Sequence, residues 1–343
     1  MNGAIMAAEI REQPDVLERI CGEGRPAIAR VAEAVRRREP RFVLFVARGT
    51  SDHAALYGKY LVETRLPLPA GLASPSTMTV YGARPDLRDV LVVAVSQSGA
   101  SPDIVEPVVQ ARAAGAVTVA LTNSADSALA TAAEFHLDVL AGPERAVAAT
   151  KTYTAELLTL FLFVEARAGR DGAEAVSLPE RAREVLAREE ETARIAVRYR
   201  FAEQLVTTAR GFNYPTAREA ALKLMETSYL VAYAFSGADL LHGPVAMIDR
   251  GFPVIAIVPE GPGGAAMQPV LDGLRERGAD TLIVGDPAAS PATLVLPIPD
   301  SGPEHLTPIL TILPIQQLVW HLARERGTDP DQPRGLQKVT ATW

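Results

Sequence analysis

Two stretches of this chain carry residues spaced for chemistry. The first is Val95-Ser96-Gln97-Ser98-Gly99-Ala100-Ser101-Pro102-Asp103. An apolar run ends there, a hydroxyl-rich turn follows, and Ser101 and Pro102 read as the cap and first position of a helix. Such a turn aims backbone N–H groups, hydroxyls and a positive helix end at one point, which suits a phosphate. No lysine or arginine lies between Asp89 and Asp103. The anion would therefore be held mostly by neutral donors, with Asp103 compensating the helix dipole. Gly49-Thr50-Ser51 is a second hydroxyl turn. The plainer alternative for both is an unliganded turn or a helix cap.

The second stretch places Glu219, Lys223 and Glu226 at i, i+4 and i+7, on one face of an expected helix. A salt-bridged solvent face would have the same pattern. However, the intervening Ala220-Ala221-Leu222 and Leu224-Met225 are apolar enough to bury the helix, and a carboxylate beside an amine in a cleft can shuttle protons. Only four lysines occur among 34 basic residues: Lys59, Lys151, Lys223 and Lys338. Arginine cannot supply the chemistry of a deprotonated amine, so each lysine in so arginine-biased a chain is a candidate. His242, in Leu241-His242-Gly243-Pro244, is a general acid or a turn residue. Lys338 lies in an irregular tail opened by Asp331-Gln332-Pro333-Arg334.

The elements that must position these groups are short β-branched runs alternating with amphipathic stretches. Strands are expected at 42–47, 90–95, 117–122, 135–140, 204–208, 253–258, 281–284 and 294–298. Helices are expected at 51–64, 101–114, 216–229, 266–277 and 306–326. Continuous apolar strands between helices predict an α/β fold with parallel sheets covered on both faces. The halves repeat. Arg48-Gly49 returns as Arg210-Gly211 and Gly99 as Gly261, each 162 residues later, and Arg112 with Gly115-Ala116 returns as Arg275 with Gly278-Ala279. The counterpart of Ser96-Gln97-Ser98 is Val258-Pro259-Glu260, so only the first half keeps the phosphate chemistry. The expected organisation is an N-terminal helical segment 1–30, a first domain 31–170, a charged linking helix within 171–198, a second domain 199–330 and a tail 331–343.

With 343 residues, 48% hydrophobic and 22% charged, the chain has the balance of an ordinary globular protein. Its formal charge of −7 and lack of basic runs beyond Arg36-Arg37-Arg38 argue against nucleic acid or an anionic membrane. Cys21, the single cysteine, excludes an intramolecular disulfide and a cysteine-based zinc site. No HExxH or GxGxxG pattern supports a metal or dinucleotide, so no cofactor is expected. The N-terminus has no basic n-region, and the most apolar window, 157–164, is too short to span a bilayer. A cytoplasmic location is expected.

The ordered set Gly49-Thr50-Ser51, Ser96-Gln97-Ser98-Gly99, Ala141-Gly142-Pro143-Glu144, Val147 to Lys151, Glu219 with Lys223 and Glu226, His242-Gly243-Pro244, and Asp331 to Arg334 with Lys338 resembles the isomerase half of glutamine–fructose-6-phosphate aminotransferase. The resemblance spans nearly the whole chain. It implies two tandem SIS (sugar isomerase) domains, each a three-layer αβα sandwich. It implies that Thr50, Ser51, Ser96, Gln97, Ser98 and Ser101 hold the phosphate of a hexose 6-phosphate, with Val147 and Ala149 lining the site. Ala149 replaces the family's usual serine. Glu226 matches the base moving a proton between C1 and C2, with Lys223 and Glu219 beside it. His242 matches the ring-opening histidine contributed across a homodimer interface, and Lys338 the tail lysine forming a Schiff base.

The aminotransferase also carries an N-terminal glutaminase domain with a terminal cysteine, whereas here the SIS region begins almost at once. The expectation is therefore a stand-alone glucosamine-6-phosphate deaminase, releasing fructose 6-phosphate and ammonia. A fructosamine-6-phosphate deglycase, another phosphosugar aldose–ketose isomerase and a non-catalytic sugar-phosphate sensor are the alternatives.

Overall fold

The computed structural model describes residues 2–289, 294–298 and 302–338; residues 339–343 of the expected tail lie outside them. Ten strands are present among the described residues: β1 (Phe42–Val46), β2 (Ala70–Leu72), β3 (Val90–Val95), β4 (Val117–Thr122), β5 (Phe135–Asp138), β6 (Gln204–Ala209), β7 (Val231–Ser236), β8 (Pro253–Val258), β9 (Asp280–Gly285) and β10 (Leu294–Pro297). They form two five-stranded parallel sheets, ordered β2-β1-β3-β4-β5 and β10-β9-β8-β6-β7. Matching β1 to β6, β2 to β7 and so on gives the same order in both, so the repeat read in the sequence is a repeat of topology. The eight expected strands are all found, within two residues at each end; β2 and β7 are additions.

The chain divides into two compact units. The first-sheet unit holds residues 15–144, 151–176 and those from 337 onward. The second-sheet unit holds residues up to 14, 145–150 and 177–336.

In the first-sheet unit, Val92, Ala94 and Ala120 pack one face of the sheet against Ile104, Val108 and Ala111 of helix Pro102–Ala113. Helices Gly49–Arg65 and Lys151–Arg167 pack together in the same unit. The second of these is covered on every side: every residue from Lys151 to Glu165 is buried, Lys151, Glu156 and Glu165 among them. Near its end, the Glu165 carboxylate takes hydrogen bonds from Arg65 at 2.8 Å and Arg170 at 2.7 Å.

In the second-sheet unit, Val254, Ala256 and Ile283 pack against Val270, Leu271 and Leu274 of helix Gln268–Arg277. Each buried valine, leucine or isoleucine among them contributes about 1.5–3 kcal/mol. Helix Tyr214–Ser228 packs against β6, β7 and helix Thr307–Glu325. The last lies within a 22-residue stretch, Glu304–Glu325, apolar and long enough by composition to cross a bilayer, yet 94% of its most apolar window is buried in the protein. The sequence reading singles out 157–164 instead; the apolarity of this longer stretch serves the core. The charged segment expected as one linking helix is two, Leu178–Leu186 and Glu189–Arg198, and each buries an apolar stripe such as Leu178, Ala182 and Val185.

Candidate active-site elements

At the first sheet, the strand order reverses between β1 and β3, and ligands of open α/β sheets bind at the carboxyl ends of strands beside such a reversal. Val46 pairs with Ala94, so Gly49 and Gln97 each follow that pair by three residues. The two hydroxyl turns therefore leave neighbouring strands at the same edge. Gly49, at φ 56°, opens helix Gly49–Arg65, which places Thr50 and Ser51 in its first turn rather than at its cap.

The Ser96–Ser101 turn is held in shape from within and from the loop after β4. Ser96 Oγ accepts from Gly99 N at 3.2 Å and Ser98 Oγ from Ala100 N at 3.3 Å. Asn123 N donates to Gln97 O, and Leu129 N to Gly99 O. Gly99 has φ 61°, and a Cβ on it would stand 2.3 Å from Ser127 Oγ, so only glycine fits. Ser101 occupies the N-cap position with Pro102 following, but its side chain makes no capping bond. Ser96 is buried, while Gln97, Ser98 and Ser101 are partly open.

Two contacts here add to the sequence reading. Arg48 Nε donates to Asp103 Oδ2 at 2.8 Å. A guanidinium thus reaches the turn from β1, beyond the neutral donors expected there, and Asp103 is a buried ion-pair partner as well as a dipole counter-charge. Ser51 is 7% exposed and donates its hydroxyl to Glu156 at 2.8 Å. Neither Arg48 nor Glu156 carries a local sequence signal, because each partner is more than fifty residues away.

Also in the first-sheet unit, Lys338 Nζ lies 3.0 Å from Glu144 Oε2. Glu144 is buried and takes two further bonds, from Thr152 N at 3.1 Å and Thr152 Oγ1 at 2.7 Å. The tail lysine is thereby tied to the fold by a carboxylate 194 positions away, a partner the sequence reading did not identify.

In the second-sheet unit, helix Tyr214–Ser228 starts with Pro215 in its first turn and ends at Tyr229, whose φ of 56° closes it. Along one face, Lys223 Nζ stands 2.5 Å from Glu226 Oε2 and 3.5 Å from Glu219 Oε1. The Lys223 side chain is 1% exposed, Glu219 0% and Glu226 21%. The face is buried, so the solvated alternative does not hold. Glu226 is the one member of the trio open to a ligand. His242, at the end of helix Gly237–Leu241, is exposed, and its N–H donates to Ala238 O and Asp239 O.

The strap 145–150, which carries the partly open Val147 and Ala149, is fixed within this unit. Glu9 accepts from Arg145 N and from Ala146 N, and Val147 N donates to Asp331 O. Asp331 also accepts from Ile5 N at 3.0 Å and Met6 N at 2.8 Å, which secures the start of helix Ala4–Arg11. Arg334 lies over the Tyr229 ring at 4.0 Å, and its N–H donates to the Tyr229 hydroxyl. The Asp331–Arg334 motif thus anchors backbone. Among the described residues, no cluster of histidine, cysteine and acidic side chains is arranged to hold a metal.

The SIS domain family matches residues 38–166 and 199–309. A glutamine–fructose-6-phosphate aminotransferase (isomerizing) of Thermus thermophilus is 36% identical over 97% of this chain, and that of Methanothermobacter thermautotrophicus is 33% identical over 97%. The chain spans a little over half the length of these relatives, 58% and 56%. Among solved structures, the C-terminal domain of the Francisella tularensis glucosamine-fructose-6-phosphate aminotransferase superposes with a TM-score of 0.86 at 27% identity, covering 96% of this chain and 98% of that one. Two five-stranded parallel sheets of one topology, both family matches and these relatives agree: the chain belongs to the SIS domain family.

Proposed function

We propose that this chain is an amino-sugar phosphate isomerase and deaminase, converting glucosamine 6-phosphate and water to fructose 6-phosphate and ammonia in the cytoplasm. The observation that carries the reading is the Lys223 ammonium held between buried Glu219 and partly open Glu226. Proton transfer beside a carbonyl or imine needs a positioned carboxylate and no cofactor. The 33–36% identical relatives are named for fructose 6-phosphate, which supports a hexose 6-phosphate as substrate.

In this reading, the sugar's phosphate is held by Thr50, Ser51, Ser96, Gln97, Ser98 and Ser101, with Val147 and Ala149 lining the sugar. His242, reaching in from the partner of a homodimer, assists opening of the pyranose. Glu226 takes the C2 proton as the C1 aldehyde accepts electron density, then returns a proton to C1. The nitrogen on C2 becomes an imine. Water adds to that carbon and the C–N bond breaks, leaving the C2 ketone and ammonia. Lys338 can instead take the carbon as its own imine, after passing its proton to Glu144, and is released by the same water. Lys223 positions the Glu226 carboxylate through their ion pair, and Glu219 holds Lys223 from the other side.

Within these residues, Cys21 is not a ready nucleophile for releasing ammonia from glutamine. The single cysteine donates its Sγ–H to Ala175 O at 3.6 Å, and burial pushes its thiol up, against the pull of Arg25. It is poorly suited to attack an amide.

The test is incubation with glucosamine 6-phosphate, galactosamine 6-phosphate and a fructosamine 6-phosphate, with ammonia and ketose phosphate measured together. Equimolar ammonia and fructose 6-phosphate from the first is the expected result. Preferential cleavage of the fructosamine, or glucosamine 6-phosphate formed from glutamine and fructose 6-phosphate, would contradict the reading.

A further inference from the structure

The two halves cover one face of their sheets with equivalent elements. After β2, Ser74 stands at the N-cap of the five-residue helix Pro75–Thr79, and after β7, Ser236 stands at that of Gly237–Leu241. Phe45 pairs with Leu72 as Thr207 pairs with Ala234, so the next residues, Ala73 and Phe235, hold one position of the repeat. Ala111 and Leu274 hold another. The carbonyl of each accepts from the N–H five residues on, of Ala116 and of Ala279. A phenyl ring and an isobutyl group in the second half thus correspond to two methyl groups in the first.

The space those larger groups take in the second half is open in the first. Phe235 and Leu274 belong with the apolar cluster around Val206 and Val254. In the first-sheet unit, a cavity of about 280 Å³ lies over the equivalent Leu44 and Val92, walled by Ala73, Met78, Leu87 and Ala111. Ser74 and Thr77 line its exposed side, and the Thr77 hydroxyl already donates to Ser74 O at 2.8 Å. Water in such a space finds few of the two to four hydrogen bonds it needs. No charged side chain is among those lining the cavity, which disfavours an ion. Left empty, it forfeits the packing contacts that a protein interior otherwise makes.

We infer that this cavity is a binding site for a compact, uncharged molecule built around one aromatic ring, the group with which the chain itself fills the same place in its second half. An apolar cavity of roughly 150 Å³ is enough for benzene, so this one has room for a ring with a short alkyl substituent. Recognition rests on burial of the ring's apolar surface. Met78 adds a thioether, which suits the edge of a ring. It stands where the second half has Leu240, each four residues after the serine at the helix cap.

The experiment is isothermal titration of toluene into the unaltered chain and into Ala73→Phe, each checked by thermal melting. The unaltered chain is expected to bind one toluene and to melt about 2–4 °C higher with it. Ala73→Phe, which restores the ring of the second half, is expected to bind none. If Ala73→Phe does not fold, Ala111→Leu, which restores the other lost group, is read in its place. No uptake by the unaltered chain, or uptake that survives in the folded variant, overturns the inference. Should the unaltered chain take up no toluene while Ala73→Phe lowers its self-association in sedimentation, a side chain of a second copy is the occupant, which also overturns it. No turnover is measured, so the outcome does not depend on what the Ser96–Ser101 turn binds.

Discussion

The Lys223 ammonium stands 2.5 Å from the Glu226 carboxylate and 3.5 Å from that of Glu219, on a helix face that the protein buries. Two carboxylates and one cation leave a net negative charge on a nearly closed face, and only Glu226 has appreciable access to solvent. A buried ion pair is a weak source of net stability, but breaking one leaves an uncompensated charge. The trio is therefore a weak source of net stability for the fold, which is compatible with the proton-transfer role proposed for it.

That imbalance predicts the behaviour of a charge deletion. Lys223→Met should destabilise the protein by about 3–5 kcal/mol, because Glu219 is left buried without its cation. The double variant Glu219→Gln with Lys223→Met should recover much of the loss. Urea unfolding of the three proteins checks this, and a single variant as stable as the parent would contradict the burial described.

Gly99 should tolerate no side chain. Alanine there would meet Ser127 Oγ at 2.3 Å and adopt φ 61°, a left-handed conformation costing about 1–2 kcal/mol before any clash. The turn would have to move. For Gly99→Ala, KM for the phosphorylated sugar should rise by about tenfold or more while kcat changes less. Steady-state kinetics would show it.

Glu165 sets an acid limit on stability. Burial favours its protonated form, but hydrogen bonds from Arg170 and Arg65 outweigh that and hold its carboxyl at about 2, below the ordinary 4.5. The folded state therefore binds its proton less readily than the unfolded chain. This contribution is complete above about pH 4.5 and is lost as pH falls toward 2. Glu165→Gln should be less stable at neutral pH and show a shallower fall of melting temperature across that window. Melting curves between pH 2 and 6 are the measurement.

The strands legible in the sequence are those whose apolar runs are continuous, such as Val90–Val95 and Pro253–Val258, because both faces of a central parallel strand are covered. β2 is only three residues, with a glycine in its middle, and sits at a sheet edge. β7 is also an edge strand, and Val231 and Tyr233 on it are exposed. Neither carries the signal of a covered strand. The same limit applies to the candidate site. Ser96–Ser101 and Glu219–Glu226 are legible because their members are near one another in sequence. Glu144 beneath Lys338 and Arg48 on Asp103 are contacts made only by folding, across 194 and 55 positions.

The account turns on Glu226 as the group that moves the sugar proton. The direct test is Glu226→Gln, assayed for ammonia release from glucosamine 6-phosphate beside a measurement of fructose 6-phosphate binding. Turnover should fall by about 10²–10⁴-fold with binding retained. A variant that still releases ammonia at near the parent rate would contradict the assignment.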